Sequence, residues 1–285
     1  MTPNSDDEIL AFGRGQGWRR DVDVFWVLAR GGFRRYSTYR LATFAGLVTN
    51  TVFGLIRASI LLAALAAAGT TIAGYTNAQA ASYVWWSQGL VASVGLFGWT
   101  EVSDRVRSGD IAVDFARPLD PQVAYLAADL GRAALQGLAR GVPSIAIGAV
   151  VFGVSAPQGP AVAGLAVVSV LLGVVISFGC RYAVNLTSFW LIQNRGVQLV
   201  YIVASGFLAG LYVPVHWFPD WLLLVARCTP FPSMLQAPID LLSGRAGLTE
   251  AVPILGVQLA WAAAVLALGQ LLTRRGRRVL EVQGG

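Results

Sequence analysis

The sequence predicts an all-α integral membrane protein: a six-transmembrane-helix bundle preceded by an N-terminal interfacial helix. Three observations predict it. Of the 285 residues, 55% are hydrophobic and only 13% are charged, where a soluble domain carries about 25%. The mean hydropathy is +0.61, and the apolar residues gather into runs near the ~20 residues that cross a hydrocarbon core. The arginines, finally, fall almost entirely into alternate connecting segments. A single bundle accounts for the length, which divides into a cytoplasmic tail (1–17), an amphipathic helix (18–40) and a membrane domain (41–278).

The tail is polar and glycine-containing, and is expected to be disordered. Residues 1–8 are polar and acidic, without a basic segment leading into a short apolar core, so the first span is expected to be an uncleaved anchor. In 18–40, Val22, Phe25, Trp26, Ala29 and Phe33 recur at helical spacing among Arg19, Arg20, Arg30, Arg34 and Arg35. A basic amphipathic helix with aromatic residues lies naturally in the membrane interface; the same pattern also fits a basic flank of span one. Gly31-Gly32 would permit a bend.

Span one is 41–67. It holds Asn50 and Arg57, which are costly in lipid and should face the bundle or a water-filled path. Arg57 either lines a substrate pathway or pairs with carbonyls inside the bundle. Span two is 80–99, with Tyr83, Trp85 and Trp86 suited to an interfacial belt. A mildly polar helix, 121–141, carries Asp129, Arg132 and Arg140 into span three, 136–154. There Gly137, Gly141 and Gly148 permit close packing. Span four is 161–182, continuing as helix towards 191, and span five is 197–213. In 214–247 the prolines 214, 219, 230, 232 and 238 leave pieces too short to span. Span six, 250–273, ends in the basic run Arg274, Arg275, Arg277 and Arg278. Segments assigned inside hold most of the arginines; those assigned outside hold only Arg227 and Arg245. Six spans with both termini cytoplasmic satisfy the positive-inside bias, which also accounts for the net charge of +6 better than nucleic-acid binding does.

The stretch between spans two and three, EVSDRVRSGDIAVDFARPLDPQ, is the most densely charged outside the termini. Ser103 and Asp104 offer a helix N-cap, and Ser108-Gly109-Asp110 a turn or a second cap. Asp110 and Asp114, four apart, would share a helix face, and Pro118 closes the segment. A short charged element hung between two spans is either a solvated loop helix or a docking element for a soluble partner.

Arg105–Pro121, RVRSGDIAVDFARPLDP, resembles the cytoplasmic segment of ABC-2-type ABC transporter permeases, the viologen or multidrug exporter permeases in particular. The resemblance extends over roughly Asp21 to Arg278. It implies that the segment is a coupling helix docking in a groove of a separate ATPase subunit, through Arg105, Arg107, Asp110, Ile111, Asp114, Phe115, Arg117 and Pro118. It also implies short re-entrant helices on the extracellular side before span six, where Gly210, Pro214 and Pro219 match the pattern and Trp217 and Phe218 suit the outer interface. A second permease, identical or homologous, would complete the pathway in a bacterial cell membrane. Asn50 and Arg57 are the candidate pathway residues.

All 21 basic residues are arginine. A P-loop needs a lysine for the nucleotide phosphates, so ATP and Mg belong to the partner and no cofactor is expected in this chain. The sequence has one histidine and two cysteines without metal spacing, so no metal site is expected. The alternatives are an integral membrane enzyme and a secondary transporter. The first needs convergent acid–base or metal chemistry, and the second needs ionisable groups near the midplane. Spans one to five show no internal acid by this reading, and His216 reads as a lone interfacial residue.

Overall fold

A computed structural model describes residues 22–69, 71–191 and 193–283, whose regular structure is helical apart from one isolated bridge between Ile72 and Tyr75. The tail 1–17 and residues 18–21 lie outside the described residues. The elements are α1 (22–37), α2 (Arg40–Ala68), α3 (Asn77–Val94), α4 (Glu101–Ser108), α5 (Ile111–Ala116), α6 (Pro121–Gln136) and α7 (Val142–Phe152). Then follow α8 (Pro160–Leu186), α9 (Arg195–Leu208), the short helices α10 (Asp220–Arg227), α11 (Phe231–Met234) and α12 (Gln236–Leu242), and α13 (Leu248–Gln283).

Among the described residues, four helices are long and apolar enough to cross a membrane: Arg40–Ala68, Pro121–Phe152, Pro160–Phe189 and Leu248–Leu280. The second of these, Pro121–Phe152, corrects predicted span three, which is not a span entered at residue 136. It is one helix from Pro121, carried through a π-helical turn at Gly137–Gly141 into α7. The π turn absorbs an extra residue without breaking the helix, so the polar segment and the apolar segment share one axis. Asp129 and Arg132 therefore sit inside a span-length helix, which corrects the expectation of no internal acid.

α3 has 18 residues but is less apolar, and Ser82, Ser87, Gln88 and Ser93 are among its buried positions. These face protein rather than lipid, which is why its hydropathy is modest. It is enclosed by α2, α6, α7 and α8. α8 and α13 pack along each other as the longest contact in the fold. A core of Tyr83, Leu96, Ala166, Ile176, Met234, Leu235 and Ile239 binds α3 and α8 to the short helices α11 and α12.

α1 is a continuous helix through Gly31-Gly32. Gly32 serves contact instead. A Cβ there would lie 2.1 Å from the Ala128 carbonyl oxygen, and one at Gly131 would lie 1.9 Å from that of Ala29. The two backbones touch, so α1 is seated on α6 by a pair of glycines.

Candidate functional site

The charged stretch folds as two short helices set at an angle. Gly109, at φ +82, ends α4 in the left-handed conformation that a residue with a Cβ resists. Ser108 Oγ donates to Asp110 Oδ2 at 2.8 Å. Arg105 then clamps the pair: its Nε donates to Asp114 Oδ2 at 2.6 Å and its Nη2 to Asp114 Oδ1 at 3.0 Å and the Asp110 carbonyl at 3.1 Å. Tyr125 on α6 donates to the same carboxylate at 2.7 Å. The hydrogen bonds it donates to the Asp114 carboxylate hold the Arg105 guanidinium above its already high ordinary pKa.

The unit is bolted to the rest of the chain. Ser103 is no N-cap: α4 begins after Thr100, and Ser103 is buried. Its N–H donates to Asn185 Oδ1 at 3.0 Å, and its hydroxyl lies 2.6 Å from Ser188 Oγ and 3.0 Å from Asn194 Oδ1. Ile111 is 1% exposed, in a cluster with Val102, Phe178, Tyr182, Leu186 and Phe189. Phe115 stacks on Phe189 with centroids 6.3 Å apart, and the Arg277 guanidinium lies 5.6 Å over the Phe115 ring. Glu101 receives two hydrogen bonds from Arg35 of α1, at 2.9 and 3.0 Å. That carboxylate raises the Arg35 pKa. Hydrogen bonds from Thr100, then from Arg107, lower that of Asp104.

The predicted residues thus divide by direction. Arg105, Ile111, Asp114 and Phe115 turn inward and hold the unit. Asp110 and Asp114 do not share a face, because Asp110 precedes α5 while Asp114 is buried within it. Arg107, Asp110, Arg117 and Pro118 are exposed, and with Val113, 55% exposed, they form the outward surface. Arg117 keeps a loose contact to Asp114 at 3.7 Å, and Arg107 pairs with Asp104.

Asn50 and Arg57 fall on the buried side of α2. Asn50 donates to the Gln88 carbonyl at 3.3 Å and Arg57 Nη1 to Ser87 Oγ at 2.9 Å. Arg57 Nε and Nη2 are buried and have no partner. Sequence reasoning missed a second ionic centre. Asp129 sits between Arg132 and Arg181, with Arg132 Nε at 2.7 Å and Arg181 Nη2 at 2.8 Å. Arg132 also donates to the Ala92 and Ser93 carbonyls, and Arg181 lies over Trp99. Asp129 and Arg132 are three apart in a helix, a legible signal; Arg181 comes from α8 and carried none.

At the opposite end, Pro214 precedes a 3-10 turn holding His216 and Trp217, and Pro219 precedes α10. Phe218 is buried and stacks on Phe207. His216 is not alone: its Nε2 lies 2.8 Å from Asp240 Oδ2. Gln236 donates to Asp240 and Tyr75 and accepts from Val215 N–H, and the Tyr83 hydroxyl donates to the Gly210 carbonyl. Among the described residues no group of acidic, histidine or cysteine side chains could hold a metal ion.

Against known proteins, residues 53–284 match the family model described as ABC-2 family transporter protein. No curated protein and no solved structure matches the chain.

Proposed function

The chain belongs to the ABC-2 family of transporter proteins, and from that premise we propose that it is the permease subunit of an ATP-driven exporter, moved through α4–α5 by a separate ATPase. The observation that carries this reading is the division of α4–α5 into two faces. One is fixed by the Arg105–Asp114 clamp and by Ile111 and Phe115. The other leaves Arg107, Asp110, Val113, Arg117 and Pro118 exposed. A solvated loop has no need of so firm an anchorage, whereas an element that transmits force requires it.

On this reading α3 and α9 join the four span-length helices to give six spans, with α4–α5 and both termini cytoplasmic. α10–α12 lie at the extracellular side, with Pro214, Trp217, Phe218 and Pro219 at the gate. Two permease copies, identical or homologous, enclose the pathway in a cell membrane, and ATP with Mg is held by the partner. The transported compounds are drugs or other amphipathic compounds, of a class that this reading leaves open. In the enzyme alternative, a buried acid within the spans would do chemistry; here Asp129, the acid inside a span-length helix, is paired with two arginines.

The test is Asp110→Arg with Val113→Asp, both on the exposed face. The chain is purified from its native membrane and assayed for a co-purifying P-loop ATPase and vanadate-sensitive ATP hydrolysis. Both should fall at least tenfold while the yield of folded chain is kept. Phe115→Ala would instead remove an internal stack. Unchanged assembly in the surface variant would make α4–α5 an ordinary loop.

A further inference from the structure

The permease reading leaves open what the chain carries, and a cavity of about 270 Å³ between α2, α3, α6 and α8 bears on it. Arg132, Arg140 and Arg181 line it together with Asn50, Gln136 and Trp99. Among the described residues no carboxylate lines it. Asp129 stands behind Arg132 and Arg181 and serves both, so three cations face one acid.

Arg140 is the cation left over. It belongs to the π turn. Its one hydrogen bond is from Nη1 to Gln136 Oε1 at 3.5 Å, the limit of such a contact, and its Nε is buried with no partner. α2 is cut away to admit it: a Cβ on Gly46 would lie 2.1 Å from Arg140 Nη2. About one turn along the same helix comes Asn50, and about two turns further Arg57, whose Nε and Nη2 are also buried without partners among the described residues. Burying guanidinium donors without acceptors is unfavourable unless an anion supplies them. A second cavity of about 700 Å³, lined by both acids (Glu101, Asp114, Asp129) and arginines, shares Tyr36, Trp99 and Arg132 with the first and lies beside α4–α5.

We propose that this arginine cavity binds a phosphate group, so that the permease handles anionic amphiphiles rather than cationic ones; the substrate assignment rests on the permease reading. Planar guanidinium forks match phosphate oxygens two at a time. The volume is below that of pockets for whole drug-sized molecules and suits a headgroup. A quaternary ammonium would meet three like charges there. The phosphate could be a headgroup bearing a tail or the free ion.

The test uses the full chain in neutral detergent and measures binding of hexyl phosphate, hexyltrimethylammonium and inorganic phosphate by calorimetry. Hexyl phosphate should bind at least tenfold more tightly than hexyltrimethylammonium, and less tightly as salt rises. Arg140→Gln should weaken hexyl phosphate about tenfold and leave hexyltrimethylammonium unchanged. Its thermal midpoint should stay near wild type, since Arg140 makes so little contact. Gly46→Ala, which keeps the charge but crowds the guanidinium, should weaken the same ligand. Inorganic phosphate binding far more weakly than hexyl phosphate identifies a tailed headgroup; equal binding identifies the free ion. Equal affinity for the two amphiphiles, preference for the cation, or no effect of Arg140→Gln overturns the proposal. Because the chain is measured alone, these results stand apart from ATPase co-purification, whose failure would remove the transport reading and leave phosphate binding intact.

Discussion

Asp129→Asn changes one charge and almost no volume, and it strikes the most buried ionic centre of the fold. Arg132 and Arg181 are 8% and 3% exposed, so neither can turn to solvent. The two arginines are not equally dependent on the acid. Arg132 retains the Ala92 carbonyl at 2.7 Å and the Ser93 carbonyl at 2.9 Å. Arg181 retains only a 3.4 Å contact with Ser177 Oγ and the Trp99 ring. Removing one member of a buried ion pair costs about 3–5 kcal/mol. The asparagine carbonyl still accepts one hydrogen bond, so the low end, about 3 kcal/mol, is expected, more than a hundredfold in the folding equilibrium. At about 2–4 °C per kcal/mol for a chain near this size, the thermal midpoint should fall by roughly 6–12 °C. The assay is thermal unfolding of the purified chain in detergent, read by size-exclusion fluorescence. The decisive variant is the double substitution Asp129→Asn with Arg181→Gln. It removes the stranded cation and should recover more than half the loss. Asp129→Asn with Arg132→Gln should recover less, because Arg132 has other acceptors. A single variant within about 1 kcal/mol of wild type, or a double variant destabilised additively, would refute the reasoning by showing a hydrated, uncoupled centre.

Gly131→Val should lift α1 from α6, since its first side-chain carbon would overlap the Ala29 carbonyl; trypsin cleavage at Arg30 and Arg34 should quicken severalfold. Gln236→Leu leaves Asp240, Tyr75 and the Val215 N–H each one hydrogen bond short; at about 1–3 kcal/mol per buried orphan, thermal unfolding should show at least about 2 kcal/mol lost. In a chain whose two native cysteines are serine, Ser108→Cys should resist a membrane-impermeant maleimide in intact cells while Thr249→Cys reacts. Ser243, 4% exposed, would be a silent position; labelling of Ser108→Cys from outside would invert the proposed topology.

The helices were legible because apolar length and proline placement are local properties. Arg40–Ala68 and Pro160–Phe189 lie close to the apolar runs that predict them. The limits blurred where a polar helix runs on into an apolar one, as at Pro121, since a hydropathy change marks an environment and not an end of hydrogen bonding. Gly32 looked like a hinge because glycine permits both bending and close approach, and only the partner at Ala128 decides between them. The segment Glu101–Ala116 was legible as an element but not in its facing. Its side chains are sorted by contacts to Asn185, 82 positions from Ser103, to Phe189, and to Tyr125, 11 positions from Asp114. The same holds for His216, whose partner Asp240 lies 24 positions on, and for Arg181, whose partner is 52 positions back.

The anchorage of α4–α5 also says where a push on its outer face must go. Ser103 and Ile111 hold the C-terminal end of α8 through Asn185, Ser188, Tyr182 and Leu186. Asn185 in turn donates to the Arg181 carbonyl at 2.8 Å and the Trp99 carbonyl at 2.7 Å. Arg181 and Trp99 both line the arginine cavity. Glu101 carries the same displacement to α1 through Arg35, and α1 supplies Tyr36 to that cavity and to the larger one beside it. A movement of α4–α5 of even an ångström would therefore be delivered both to Arg181 and Trp99 and to Tyr36 in the cavity lining by hydrogen bonds and packed rings. Charged hydrogen bonds are steep in distance and angle, so separating Arg181 and Arg132 from Arg140 would release a phosphate that all three had held. On the proposed reading, coupling and release are one motion, with Asn185 as its joint. Asn185→Leu would sever that joint without touching either surface, so it should leave ATPase assembly and hexyl phosphate affinity near wild type while uncoupling ATP hydrolysis from transport.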